Sequence, residues 1–300
     1  MAYGGLTKAA MAGVAMTVAG ISAAHAMPPR PPPLSAYLEL YGQGVSPNVL
    51  LDQKSTTWAG GGVAGRATFW LNPGWSTQVD AAIDTSSWID ENSQLLHQTL
   101  TVAGAHVSAR DPRHGLVGGF AGFGDMTSWG GQYETPFFFG GLEGQLYLNN
   151  LTFYAQAGDA IQLNNNLTYI GYPTSFNVWF AQAMGRFFVS PNTKLEAGVG
   201  YFEGNAWGID NSVYPRDDIQ ALTYEAEVEH RFAGMPLSVF ARASGFTDPS
   251  LGANGLSTFT VAAGLRIRFG RGTLLDDDRS GTTLTLPDFQ TINWARWWTR

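Results

Sequence analysis

The chain has 300 residues, a net charge of −7 and no cysteine. Thiol and disulfide chemistry are therefore excluded, and the acidic balance argues against nucleic acid as a partner. Only 14 % of residues are charged against 13 % aromatic, where soluble domains carry roughly 25 % charged residues, so a soluble fold would leave much apolar surface facing water.

At the start of the chain, Lys8 precedes an apolar run from Ala9 to Ile21 and an Ala24-His25-Ala26 site. This is the pattern of an export signal over residues 1–26. Residues 27–35 hold Pro28, Pro29, Pro31, Pro32 and Pro33 and predict an extended linker. No later stretch of about 20 apolar residues occurs, so no transmembrane helix is expected.

Twelve strand-like segments follow between Ala36 and Phe269. They are predicted at Ala36–Gln43, Thr57–Leu71, Trp75–Thr85, Leu96–Ala109, Arg113–Gly124, Phe137–Leu148, Leu151–Asp159, Phe176–Val189, Thr193–Glu203, Ile219–Phe232, Leu237–Phe246 and Thr258–Phe269. Links after the even-numbered segments are tight, as at Asn149-Asn150 and Gly234-Met235-Pro236. The others run to roughly eight to sixteen residues. An even strand count with short turns at one rim and long loops at the other predicts an all-β fold, a closed antiparallel transmembrane barrel. The fifth segment is the weakest, with five glycines and no clear face.

Successive strand residues point to opposite faces. In the last segment Phe259, Val261, Leu265 and Ile267 oppose Thr258, Thr260, Arg266 and Arg268. A charge on the lipid face costs roughly 2–4 kcal/mol near the midplane, so charges should point inward. The predicted lining is Glu39, Arg66, Asp80, Asp84, Glu143, Arg186, Glu196, Glu225, Glu227, Glu229, Arg242, Arg266 and Arg268, with Lys194 and Arg231 beside them. Closure should bring Glu39 against Arg266 or Arg268. Aromatics near strand ends, among them Phe69, Trp75, Trp88, Phe137 to Phe139, Trp179, Phe187, Phe188 and Tyr201, are expected in girdles at the two membrane interfaces.

Gly264-Leu265-Arg266-Ile267-Arg268-Phe269 resembles the terminal signal that outer-membrane assembly machinery reads, and the pattern of Ala36–Phe269 is similar to bacterial porin-like outer-membrane proteins. That resemblance implies outer-membrane lipid and the assembly machinery as partners, with both chain ends in the periplasm. The expected function is passive passage of small polar solutes or ions, without a cofactor. A plugged structural or adhesive barrel is the alternative. A third reading is enzymatic: His106-Val107-Ser108 resembles the His-x-Ser element of outer-membrane phospholipase A, although Ala109 stands where that family has Asn. Its face, shared with Leu100 and Val102, is expected to meet lipid. In the 270–300 tail, expected in the periplasm, Asp276, Asp278, Ser280 and Gly281 match part of a calcium loop. Pro287 holds the place of the bidentate Glu, so a flexible acidic turn is expected. Trp294-Ala295-Arg296-Trp297-Trp298 could dock on the inner leaflet surface or bring the tail back into the barrel mouth.

Overall fold

The computed structural model describes residues 34–48, 58–89, 95–128, 133–163, 168–169, 172–173, 177–205, 218–247, 257–270 and 272–290. They belong to one compact unit, Pro31–Arg300. The export signal, most of the proline-rich linker and Trp294–Trp298 lie outside the described residues.

Twelve long antiparallel strands close into a barrel. They are β1 (Leu34–Asn48), β2 (Trp58–Asn72), β3 (Trp75–Ile89), β4 (Leu95–Asp111), β5 (Gly115–Ser128), β6 (Tyr133–Leu148) and β7 (Leu151–Gln162), then β10 (Asn177–Ser190), β11 (Thr193–Asn205), β12 (Asp218–Arg231), β13 (Leu237–Thr247) and β14 (Ser257–Phe269). Between β7 and β10 a two-stranded pair, β8 (Thr168–Tyr169) and β9 (Tyr172–Pro173), forms a separate small sheet. Closure is made by β1 against β14, with Ala36 opposite Phe269 and Glu39 opposite Arg266. Every long strand therefore has two neighbours, which leaves no sheet edge.

The tight turns form where local chemistry closes them. Asn149 sits at φ 49, a left-handed conformation that Asn tolerates better than most residues. The turn after β4 runs a little further than the Asp111-Pro112 expectation. Asp111 accepts a bond from His114 N at 3.1 Å through its carbonyl and from Arg113 N at 2.9 Å through its side chain. β5 accordingly starts at Gly115, not Arg113. At the long-loop end several strands outrun their predicted limits, as β3 does through Ser86-Ser87-Trp88-Ile89. Those residues break the apolar alternation and still pair in the ladder with β4.

The outer face is apolar: Leu40, Val79, Ile83, Leu142, Phe153, Val199, Val261 and Leu265 are all exposed. Every Lys and Arg on the barrel strands faces inward. β5 does have two faces, Leu116, Phe120 and Met126 inward against Val117 and Phe123 outward. Its glycines leave room for neighbours: a Cβ on Gly122 would lie 2.4 Å from a Phe139 ring carbon.

The interior departs from a uniformly polar lining. Toward the long-loop end the inward face is an apolar belt of Val45, Trp58, Leu100, Val102, Phe120, Met126, Phe137, Phe139, Val178, Phe180, Phe202 and Phe246, all buried. The expected aromatic girdle is therefore divided. Phe69, Trp75, Phe138, Trp179 and Phe187 face outward, whereas Phe137, Phe139 and Phe188 point into the barrel. The side chain of Trp88 is outside the described set. The face of β4 is also the reverse of the expectation: Leu100, Val102, His106 and Ser108 line the lumen. Leu100 and Val102 belong to the belt, so apolar character does not mark the lipid side there.

Candidate functional site: the lumen

Each predicted lining residue faces the lumen. Glu39, Asp80, Asp84, Glu143, Arg186, Glu227, Glu229, Arg266 and Arg268 are buried, while Arg66, Glu196, Glu225 and Arg242 are partly open. All except Glu143 line one cavity of about 240 Å³.

The wall from β1 through β14, β13 and β12 to β11 carries an ion-pair network centred on Arg266. Its Nε donates to Glu39 Oε2 at 2.6 Å, and its terminal nitrogens to Glu227 at 2.7 and 2.8 Å and Glu229 at 2.5 Å. Arg242 donates to Glu227 at 2.7 Å, and Arg268 to Glu229 at 2.5 Å. Lys194 Nζ lies 3.1 Å from Glu196 and 3.2 Å from Glu227. Cross-strand register explains the assembly: Glu196 stands opposite Glu227, and Glu227 opposite Arg242. Adjacent strands thus bring carboxylates and guanidinium groups to one height. Glu225 stands apart, its Oε1 buried without a hydrogen-bond partner among the described residues.

A second network occupies the opposite wall. His106 Nε2 lies 3.0 Å from Asp80 and Nδ1 2.9 Å from Glu143. Both ring nitrogens of His106 are thus engaged by carboxyl groups. Ser108 Oγ pairs with Ser76 Oγ at 3.0 Å. His106 is thus committed to two acids, and Ser108 to another hydroxyl, so the base–nucleophile contact that hydrolysis requires is not formed.

What reasoning from sequence missed is the occupant of the barrel. Residues 272–290 enter the lumen from the tight-turn end. The acidic stretch expected as a flexible turn forms a short helix, α1 (Leu274–Ser280), capped by Thr273 and Asp276. Among the described residues no group of acids or histidines could hold a metal ion. Leu275 N donates to Pro191 O at 3.1 Å, Arg279 Nη2 to Asn149 O at 2.8 Å and Trp70 Nε1 to Ser280 O at 2.7 Å, which fixes α1 against the turns. Asp277 lies 3.1 Å from Arg268 and 3.5 Å from Arg231; Asp278 lies 3.2 Å from Arg186.

Beyond α1 the chain runs extended up the barrel. Wall side chains satisfy its backbone: Arg110 donates to Gly281 O at 2.8 Å, Arg66 to Leu284 O at 2.8 Å, Gln78 to Leu284 O at 2.9 Å and Tyr154 to Thr285 O at 3.2 Å. A buried strand of chain without ladder partners needs such donors. Gly104 makes space for it, since a Cβ there would lie 2.7 Å from Leu286 Cδ2. The described tail continues past the mouth as far as the aromatic belt, at Phe289 and Gln290; the two placements expected for Trp294–Trp298 fall outside the described residues. The predicted lining omits Arg110, whereas Gln78 shares the polar face of β3 with Asp80 and Asp84 and points inward with them. The Arg110, Ser108 and His106 alternation was the available signal, outweighed by Leu100 and Val102.

The arrangement is a closed barrel with an apolar outer face and a charged, partly filled interior. It is an outer-membrane β-barrel fold. No known protein family and no curated protein sequence matches the chain. Among solved structures it is similar to the COG4313 outer membrane channel from Pseudomonas putida F1, at 12 % identity and TM-score 0.60, over 84 % of this chain and 100 % of that one. The translocator domain of autotransporter NalP from Neisseria meningitidis is 13 % identical with TM-score 0.49, over 79 % and 89 % of the two chains. A Pseudomonas aeruginosa FadL homologue is 11 % identical with TM-score 0.42, over 79 % and 90 %. At these identities the likeness is one of fold.

Proposed function

We propose that this protein is an outer-membrane channel for passive movement of small polar solutes or ions, with its path closed in this conformation by its own C-terminal segment. One observation carries the reading. Residues 272–290 occupy the lumen, held by polar contacts along residues 281–285 and by Phe289 in the aromatic belt, and a cavity of about 240 Å³ remains beside them. About eight strands enclose only what wall side chains can fill, and a twelve-stranded barrel is wider than that.

The charged wall of β1 and β11 to β14 supplies the polar side of the path, and the apolar belt supplies a constriction of the kind that gates by dewetting. The outward row of Leu265, Ile267 and Phe269 on β14 supports recognition by the assembly machinery, and the apolar exterior supports outer-membrane lipid as the solvent. A plugged structural barrel is the competing reading. Planar-bilayer recording of the full-length protein separates them. A channel gives discrete conductance steps whose ion preference changes in Glu227→Gln and Arg266→Gln. Absence of current at every voltage for the full-length protein and for tail-loosened variants would refute the channel.

A further inference from the structure

Phe289 and Gln290 occupy a place in the lumen that has the chemistry of a ligand site. The Phe289 ring is enclosed by four others, with centroids at 4.8 Å (Phe137), 4.9 Å (Phe139), 5.8 Å (Phe180) and 6.4 Å (Phe202). The Phe137 and Phe180 contacts are edge-on, the favoured geometry for aromatic pairs. Beside this slot the Gln290 side-chain amide donates to Asp84. Asp84 is held from the other side by Tyr41 OH at 2.5 Å and Gln43 Nε2 at 2.9 Å. One ring and one N–H donor are thus read together, a few bonds apart.

The surroundings add a sign. Asp84, Asp288 and Glu225 face the same cavity as Phe289 and Gln290. Glu225 Oε1 and Gln290 Oε1 are buried, and neither has a hydrogen-bond partner among the described residues. Arg242 is already committed to Glu227 and Glu39. The neutral Gln290 amide therefore occupies a place at the Asp84 carboxylate where a cationic donor would bond more strongly.

We propose that this slot is a binding site for a small aromatic amine, a planar ring with a nearby ammonium group, and that Phe289-Gln290 is its built-in competitor. The inference rests on the channel reading only in making the ligand a permeating solute. The ring enters among Phe137, Phe139, Phe180 and Phe202, and the ammonium replaces the Gln290 amide at Asp84, in a cavity that Glu225 also lines. A segment of the same chain that fills the slot lowers the apparent affinity of any ligand by the fraction of time the slot is free.

Binding of 2-phenylethylamine to the purified full-length protein in lipid nanodiscs, read by calorimetry, tests this without a membrane potential, so that it succeeds or fails independently of conductance. Phe289→Ala removes the competing ring and leaves the wall intact. The expected result is binding about tenfold or more tighter in Phe289→Ala than in the unaltered chain, and about tenfold tighter for 2-phenylethylamine than for phenylacetate or butylamine. Adding Asp84→Asn or, separately, Glu225→Gln to Phe289→Ala should weaken amine binding and leave benzyl alcohol unchanged; having two carboxylate variants covers the case in which one fails to fold. Equal affinity for the amine and the carboxylate, equal affinity of the unaltered and Phe289→Ala chains, or no binding to either would overturn the proposal.

Discussion

Loosening the tail at Asp278 should open the channel. Asp278 is buried and accepts from Arg186 Nη1 at 3.2 Å, Thr152 Oγ1 at 2.5 Å and Thr283 Oγ1 at 3.1 Å. Asp278→Ala removes all three contacts, but the partners are not left empty. Arg186 keeps Glu196 at 2.6 Å and Thr283 at 2.7 Å, and Thr283 keeps Gln145. The net loss is then near that of one or two bonds to a charged group, each about 1.5–3 kcal/mol, or about 1.5–6 kcal/mol in all. At 1.4 kcal/mol per decade this shifts the balance of docked and released tail by about 10- to 20,000-fold. Single-channel recording should show open probability rising by a factor in that range or to saturation. Since the chain has no cysteine, a cysteine placed by Thr285→Cys reports release independently through its rate of labelling by an impermeant maleimide. Open probability and labelling both within threefold of the unaltered tail would refute the idea that this docking closes the lumen.

The tail also carries a pH response. Burial raises the Asp277 carboxyl above the ordinary aspartate range by more than Arg268 and Arg231 lower it, so the docked tail holds that proton more tightly than a released tail does. Its contribution to docking is complete below the ordinary aspartate value and is lost as pH rises through the raised value. Conductance should therefore increase across that window, and Asp277→Asn should remove the dependence. At the centre of the network, Arg266→Gln leaves Glu39, Glu227 and Glu229 without their shared guanidinium, and stability should fall by about 3–5 kcal/mol in reversible urea unfolding in lipid vesicles. Adding Glu227→Gln should restore part of that loss, and fully additive losses would refute the coupling.

The sequence determined the barrel itself: strand number, tight turns at one end, and a face assignment that holds for β3, β12 and β14. It could do so because those properties are local. A two-residue period and a turn's residue types act between neighbours in the chain, and a charge in lipid is costly wherever the strand sits. It also brought Glu39 beside Arg266 or Arg268, because closure of the sheet sets the first and last strands side by side, and the register of β1 on β14 chose Arg266.

The tertiary structure decided what fills the barrel. Leu100 and Val102 misled because an apolar side chain satisfies either lipid or an apolar lumen belt, and only the opposite strands, Phe139 and Phe180 among them, distinguish the two. The tail is the stronger case. Thr283, Leu284 and Phe289 reach partners on β2 to β11 that are distant in sequence, such as Gln78 for Leu284, and no periodicity in 272–290 encodes that meeting. It depends on the cross-section left over once twelve strands have closed, a quantity that exists only in the assembled barrel.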